Sequence, residues 1–499
     1  MKRTFWRKQH KWFGLIFCFF MLMFCLSGIV LNHRQAVAKV DVSRKWLPED
    51  YRYQKWNNGL LRGTLAYSDK DSVRNVLIYG TAGIWKTNPS ASSFSDFNRG
   101  LPEGVDYRQI RGMVRTSQGR LFAAGLFSLY QYFPHRGWQT VPLPAGRDEM
   151  LSDVTLQGDT LVVASRSYLY CSVPPYHYFH KIQLHTPKDD DGKVSLFRTV
   201  MLMHSGALFG IYGKLLMDAV AVALMVLCIS GVLYWLLPKY IRKKKKLGYR
   251  AKKAAALMKL SMLWHDKVGR TTIILTLFIA FTGWCLRPPV LVALAQAKTS
   301  ALPGTVLSTN NVWNDKLQMI RYDSACRDWL LATSDGIYAL KTLDSVPVKI
   351  KTAPPVSVMG LNVWQKDRFG RWLCGSFEGL FVWDRQRNTV TDYFTHQPAT
   401  KKAGPPFGQK AVSGFSSDFR GQPCAVEYSK GTDRLPQPAG MSGLPMSLWN
   451  LCLEIHSGRI YIGAAATLFF IFFAGMAAMW CLWSGYKIRL KKRAKSARP

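Results

Sequence analysis

Four stretches of this chain are apolar, almost free of charge and bordered by runs of lysine and arginine. Trp12–Leu31 is 20 residues without a charge, and a helix of that length covers a hydrocarbon core of about 30 Å. Leu215–Leu237 carries only Asp218, near one end, Thr271–Leu286 is shorter and charge-free, and Ile460–Tyr486 runs 27 residues without a charge. The net charge of +37 is concentrated beside them. Residues 2–11 hold five basic side chains and no acid, residues 239–259 ten and none, and residues 487–498 seven and none. Basic runs at the ends of apolar segments mark the cytoplasmic side of a membrane protein, so the charge points to a lipid bilayer and no nucleic-acid partner is expected. Both termini and the middle run are then cytoplasmic, and the two long connections share the far, periplasmic side.

The chain is written twice. His10 precedes Gly14 by four residues and Gly28 by eighteen, and His265 precedes Gly269 and Gly283 by the same intervals. His-Ser-Gly occurs at 204–206 and again at 456–458, each time leading into an apolar run that closes on Ser-Gly, at Ser230-Gly231 and Ser484-Gly485. Two copies of one span–domain–span unit predict a four-helix bundle with a pseudo-twofold axis along the membrane normal. The expected divisions are a first transmembrane helix at 1–33, a β half at 34–200, a second helix at 201–238 and a basic cytoplasmic loop at 239–264. A third helix at 265–297, a second β half at 298–452, a fourth helix at 453–488 and a basic tail at 489–499 complete the chain.

The long connections repeat on a shorter period. LIYGTAGIW at 77–85, LFAAGLFSLY at 121–130, LVVASRSYLY at 161–170, WLLATSDGIY at 329–338 and WLCGSFEGLF at 372–381 each read as a strand, a tight turn and a second strand. A period of about 40–50 residues with short strands is that of a β-propeller blade. The expected periplasmic domain is all-β, a propeller of about seven blades assembled from both halves, because an open half would leave bare sheet edges.

Histidine placement bears on chemistry. The repeat makes His10 equivalent to His265 and His204 equivalent to His456, and a pseudo-twofold axis can bring each pair together inside the bundle. Two neutral imidazoles facing each other across a helical bundle are what a bis-histidine b-type haem requires. Gly14 and Gly269 lie on the same helix faces as His10 and His265 and leave room for a flat macrocycle. His33 is a further candidate for the far layer; its repeat counterpart is Pro288. In the β region, His177 and His180 form an HxxH in an aromatic loop, a weak candidate for iron or copper. No Walker loop, no GxGxxG after a strand, no HExxH, no GxSxG and no CxxC is present, so neither a nicotinamide nor a flavin domain is expected.

The segments RKQHKWFG…LSGIVLNHR, HSGALFGIYGKLLMD…ISGVLYW and HSGRIYIG resemble the PepSY-associated transmembrane family of bacterial inner-membrane proteins, which includes iron-regulated proteins and ferric-siderophore reductases. The resemblance covers roughly residues 1–35, 200–300 and 450–490. It implies one or two haems b held by His10, His204, His265 and His456, with His33 matched less closely. It also implies electrons passed outward to a ferric chelate from an external donor, a quinol or a cytosolic flavoprotein. The outer loops depart from the family pattern, since they read as propeller blades and not as an α/β PepSY module. Two functions stay open: a transmembrane metal (ferric) reductase, and a non-enzymatic membrane-anchored propeller that binds a partner or signals.

Overall fold

The computed structural model describes residues 3–68, 74–146, 148–295, 297–357, 359–399, 410–421, 423–462 and 464–496. The chain divides into two compact units, one of residues 1–37, 192–309 and 448–499, the other of residues 38–191 and 310–447.

The first unit is helical. Its elements are α1 (Arg3–Asn32), α2 (Leu196–Ser205), α3 (Gly210–Lys246), α4 (Lys252–Thr271), α5 (Ile273–Cys285), α6 (Leu448–His456) and α7 (Ala464–Ser496). Among the described residues, Thr4–Asn32, Ala207–Lys246 and Ala466–Ile488 are each long and apolar enough to cross a membrane. α4 and α5, bent by 71° about Thr272, make a fourth span if read together. α1 packs on α3, α6 and α7, α3 on α4, and α5 on α2 and α7. Small side chains meet at the centre, where Cys25 and Ala221 are buried with Leu224. Bulky ones point outward: Ile16 is 60% exposed, Phe469 71% and Ile274 79%. Lipid tails are as apolar as leucine, so large side chains gain nothing by hiding, and small ones let the backbones approach.

The observed elements differ from the expected divisions in three respects. The stretch expected as a loop at 239–264 is mostly helix: α3 continues to Lys246 and α4 starts at Lys252. Lysine, arginine, alanine and leucine are good helix formers, so leaving the apolar zone does not end a helix. The second and fourth segments are each two helices, broken at Gly206–Gly210 and at residues 457–462. Strands Lys193–Ser195 and Lys298–Ser300, which the expected boundaries assign to the β halves, pair with each other and belong to the helical unit.

The second unit is all-β. Five antiparallel four-stranded sheets follow one another along the chain, and a two-stranded sheet follows them. The first strands of these six sheets are β1 (Gly63–Ser68), β2 (Ile110–Arg115), β3 (Leu151–Gln157), β4 (Leu317–Asp323), β5 (Leu361–Lys366) and β6 (Val412–Ser416). Each lies beside the first strand of the next sheet, and β6 lies beside β1, where Thr64 Oγ1 and Ser416 Oγ are 2.8 Å apart. Five of the six carry a register shift at the same place, after their first residue: Ile110/Gly112, Leu151/Asp153, Leu317/Met319, Leu361/Val363 and Val412/Gly414. A bulge at one fixed position bends every unit alike and is the structural form of the sequence repeat.

The described residues thus build six such sheets, where the period predicts about seven. The difference lies in the flanking segments. Residues 38–62 and 428–447 pack on each other and form no sheet of their own beyond the Asp41–Ser447 and Val42–Met446 pairs. Trp56, fully buried, donates its indole N–H to the Pro436 carbonyl at 3.1 Å and its backbone N–H to Gln437 Oε1 at 2.7 Å. Inside the circuit Arg62 donates to the Arg111 carbonyl (3.1 Å), the Leu361 carbonyl (3.2 Å) and Asn362 Oδ1 (3.3 Å), tying the second sheet to the fifth.

Candidate functional site

Inside the helical unit four histidines form two pairs. His10, on α1, faces His265, on α4, with ring centres 5.8 Å apart. His204, on α2, faces His456, on α6, with ring centres 6.0 Å apart. All four rings are held in one way, each by a Ser/Thr-Gly dipeptide on another helix. Nδ1 of His10 lies 2.9 Å from the Cys481 carbonyl and 3.4 Å from Ser484 Oγ. Nδ1 of His265 lies 3.0 Å from the Leu227 carbonyl and 3.1 Å from Ser230 Oγ. Nδ1 of His204 lies 3.1 Å from the Ile279 carbonyl and 3.2 Å from Thr282 Oγ1. Nδ1 of His456 lies 2.9 Å from the Phe24 carbonyl and 3.1 Å from Ser27 Oγ.

The repeated partners decide the tautomer. A carbonyl oxygen only accepts, so Nδ1 carries the proton and donates it. The hydroxyls of Ser27, Thr282 and Ser484 are themselves spent on carbonyls of their own helices at 2.6, 2.8 and 2.8 Å, which leaves their lone pairs facing the imidazole. Nε2 is then the unprotonated nitrogen, and among the described residues no hydrogen bond of these four rings uses it. A neutral imidazole whose other N–H is anchored to a carbonyl is a pre-oriented metal ligand.

The glycine of each dipeptide makes room for the ring. A Cβ on Gly283 would stand 2.7 Å from His204 Cε1, on Gly485 3.0 Å from His10, on Gly28 3.2 Å from His456 and on Gly231 3.3 Å from His265. At Gly14 and Gly269 a Cβ would meet Cys481 Sγ at 3.5 Å and Leu227 Cδ2 at 3.4 Å, and neither ring of the pair. The ring-facing glycines are visible in the sequence as the Ser-Gly and Thr-Gly ends of the apolar runs, but their partners sit on other helices.

The His-Ser-Gly tripeptide also acquires a physical reading. His204 is in the last turn of α2, and Gly206 ends that helix in the left-handed region at φ 76°. His456 closes α6, and Gly458 follows at φ 77°. Glycine adopts this backbone without the Cβ penalty, so the chain turns directly after the histidine and starts a new helix off-axis. Gly206 and Gly213 then touch backbone to backbone.

His33 is engaged away from the pairs. Its Nε2–H donates to Asp218 Oδ2 at 2.6 Å, and Asn32 Nδ2 donates to Asp218 Oδ1 at 2.9 Å and to the Ser205 carbonyl at 3.1 Å. In the β unit, His177 and His180 are both exposed, and His180 sits on an outer strand paired with Cys171. Among the described residues the one group of three potential metal ligands is Asp323, Cys326 and Asp328, and a guanidinium already fills it. Arg385 Nη1 lies 2.7 Å from both Asp323 Oδ2 and Asp328 Oδ1, while Lys366 and the Trp372 indole also donate to Asp323. Burial raises the Asp323 pKa, but these donated hydrogen bonds outweigh it and hold the carboxyl well below its ordinary value.

Distance tests the fit to a metal between paired rings. An imidazole nitrogen binds a metal at about 2 Å, so two rings gripping one ion from opposite sides have centres about 6 Å apart. Both pairs meet that spacing.

Membrane-spanning helices joined to a separate all-β unit define a membrane-anchored β protein. The PepSY-associated TM region matches residues 122–492, and the chain belongs to that family. No curated protein matches it in sequence. Among solved structures, it is similar to the extracellular domain assigned to a hybrid two-component system of B. thetaiotaomicron, at 10% identity and a TM-score of 0.35, over 74% of this chain and 32% of that one. It is also similar to the extracellular domain assigned to a one-component system of the same organism, at 11% identity and a TM-score of 0.23, over 74% of this chain and 39% of that one. The chain thus spans well under half the length of either structure.

Proposed function

We propose that this chain is a b-type haem protein of the bacterial inner membrane that delivers electrons to a ferric chelate on the far side. The observation that carries the reading is the fourfold identity of the histidine settings: one tautomer, one kind of anchor and one kind of glycine at every ring. A metal-free structural role would need no such matching of two pairs at bis-imidazole spacing. His10 and His265 would hold one haem, and His204 and His456 a second. Haem b, when bound, supplies one-electron transfer, and a pair near each end of the spans lets it relay electrons from a cytoplasmic flavoprotein or a quinol to an outside acceptor. His456 rests on Gly28 of α1, and His10 lies on the same helix eighteen residues earlier, so the two layers are about 27 Å apart along α1.

The residues of the chain orient, exclude and insulate. The carbonyl–hydroxyl anchors keep Nε2 aimed at the partner ring, and the low-polarity bundle centre around Cys25, Ala221 and Leu224 keeps water from the space between the layers. The basic runs support cytoplasmic termini and a β unit on the far side, where its six sheets, read as a β-propeller, would hold the acceptor.

The test is an absorbance spectrum of the purified full chain, oxidised and dithionite-reduced. Two b-type components are expected. His10→Ala or His265→Ala removes one, His204→Ala or His456→Ala the other, and the β unit keeps its fold in all four. A colourless wild type with an intact β unit would instead make the chain a non-enzymatic membrane-anchored binding protein.

A further inference from the structure

Arg287 lies two residues beyond α5, one helical turn past the Gly283 on which His204 rests. The turn is continuous, since Leu286 N–H donates to the Gly283 carbonyl and Arg287 N–H to the Trp284 carbonyl, both at 3.2 Å. The residue is half-buried, and its place one turn past Gly283 puts its charge on the side of the His204/His456 pair. Glu454 and Arg459 also act on Arg287, and these two pair with each other: Arg459 Nε donates to Glu454 Oε2 at 2.9 Å and its Nη2 to Oε1. Among the described residues, the Arg287 guanidinium makes no side-chain hydrogen bond or ion pair.

A guanidinium held this way inside a membrane protein is costly unless an anion completes it. Its planar fork of donors matches a carboxylate, which it binds through two parallel hydrogen bonds. We infer that Arg287 is a carboxylate-binding residue that receives a propionate of the haem held by His204 and His456, and so positions that haem. The inference rests on the haem reading above and adds a second point of attachment to one layer only. The His10/His265 pair would be held by its ligands and by whatever cations its own end supplies.

The experiment compares wild type, Arg287→Gln and Arg287→Lys as purified full chains. Haem per chain, the reduced spectrum and the midpoint potential of each component are measured, with His204→Ala identifying the relevant component. The expected result is that Arg287→Gln lowers affinity for that haem about ten- to hundredfold, as loss of a supporting contact does, while the His10-dependent component stays as in wild type. Arg287→Lys recovers part of the occupancy. A second arm supplies iron mesoporphyrin as free acid or as dimethyl ester to haem-depleted wild type; the acid fills the His204/His456 layer and the ester does not. Unchanged occupancy and potential in Arg287→Gln, or equal filling by the ester, overturns the inference. So does a variant that keeps its haem but loses reduction of carboxylate-bearing ferric chelates alone, since Arg287 would then serve the acceptor. A wild type without haem fails the reading itself, a separate outcome from a coloured wild type that ignores position 287.

Discussion

His10 and His265 sit well inside the long helices α1 and α4, whereas His204 and His456 sit in the last turns of the short helices α2 and α6. In the first pair the helix runs on unbroken past the ring. In the second, a glycine in the left-handed region ends the helix directly after the ring. Both routes reach nearly equal ring spacings, 5.8 and 6.0 Å, because the anchor is the same: a carbonyl and a hydroxyl three residues apart on a neighbouring helix, followed by glycine. The difference teaches that the anchors, and not the histidine-bearing helices, set the geometry. It also makes the His204/His456 pair the more fragile, since it depends on two unusual backbone sites in addition.

Variants can separate the two pairs. The largest effect is expected from Gly206→Val. A β-branched residue in the left-handed region costs about 1–2 kcal/mol, and its Cβ would strike the Gly213 backbone, where overpacking adds about 1–3 kcal/mol. The His204-dependent absorbance is expected to vanish while the His10-dependent absorbance remains. Loss of both components together would show that the pairs are not independently held.

Glycine-to-alanine changes at the rings come next. At Gly283 the new methyl would stand 2.7 Å from His204, and at Gly231 3.3 Å from His265. Gly283→Ala is expected to cost about 1–3 kcal/mol and Gly231→Ala at the low end of that range or below. Thermal unfolding in detergent ranks the two, and the reverse order would mean that the His204 ring moves more freely than its anchors suggest.

Removing the hydroxyl alone tests the anchor more gently. Thr282→Val and Ser230→Ala each remove one acceptor from Nδ1 and leave the carbonyl, at an expected cost of about 1 kcal/mol. A matching shift in both components would confirm that one anchor serves both pairs. The smallest effect is expected from His33→Gln. Its pairing with Asp218 is partly exposed, with side chains 29% and 15% accessible, and is worth about 1 kcal/mol or less. Neither component should change in spectrum, and loss of one would return His33 to the ligand set.

Much of this was legible in the primary structure. The apolar runs with their basic borders, the twofold repeat and the four paired histidines are patterns of residue type and spacing, and these survive into the bundle. Helix ends were not legible where the chain is basic. Lysine's helix propensity operates in water as well as beside lipid, so α3 runs on through Lys239 and through Lys243 to Lys246. The count of β sheets was not legible either, because dividing the outer residues by the period counts 38–62 and 428–447 as part of a sheet, yet they pack on each other around Trp56. The pairing of His33 with Asp218 joins residues 185 apart, and no local pattern announces it.

The sequence by itself determined that this chain has membrane-spanning segments, that it is built from two copies of one plan, and that histidine and glycine recur at matched places. Those are properties of residue type and interval, which hydrophobicity and helix period translate directly. Only the tertiary structure decided which glycine faces which ring, which nitrogen of each imidazole is left open, and that Arg287 lacks a partner among the described residues. Each of these depends on which helices lie side by side, and contacts between distant segments are chosen by packing as a whole, not by any stretch of chain alone.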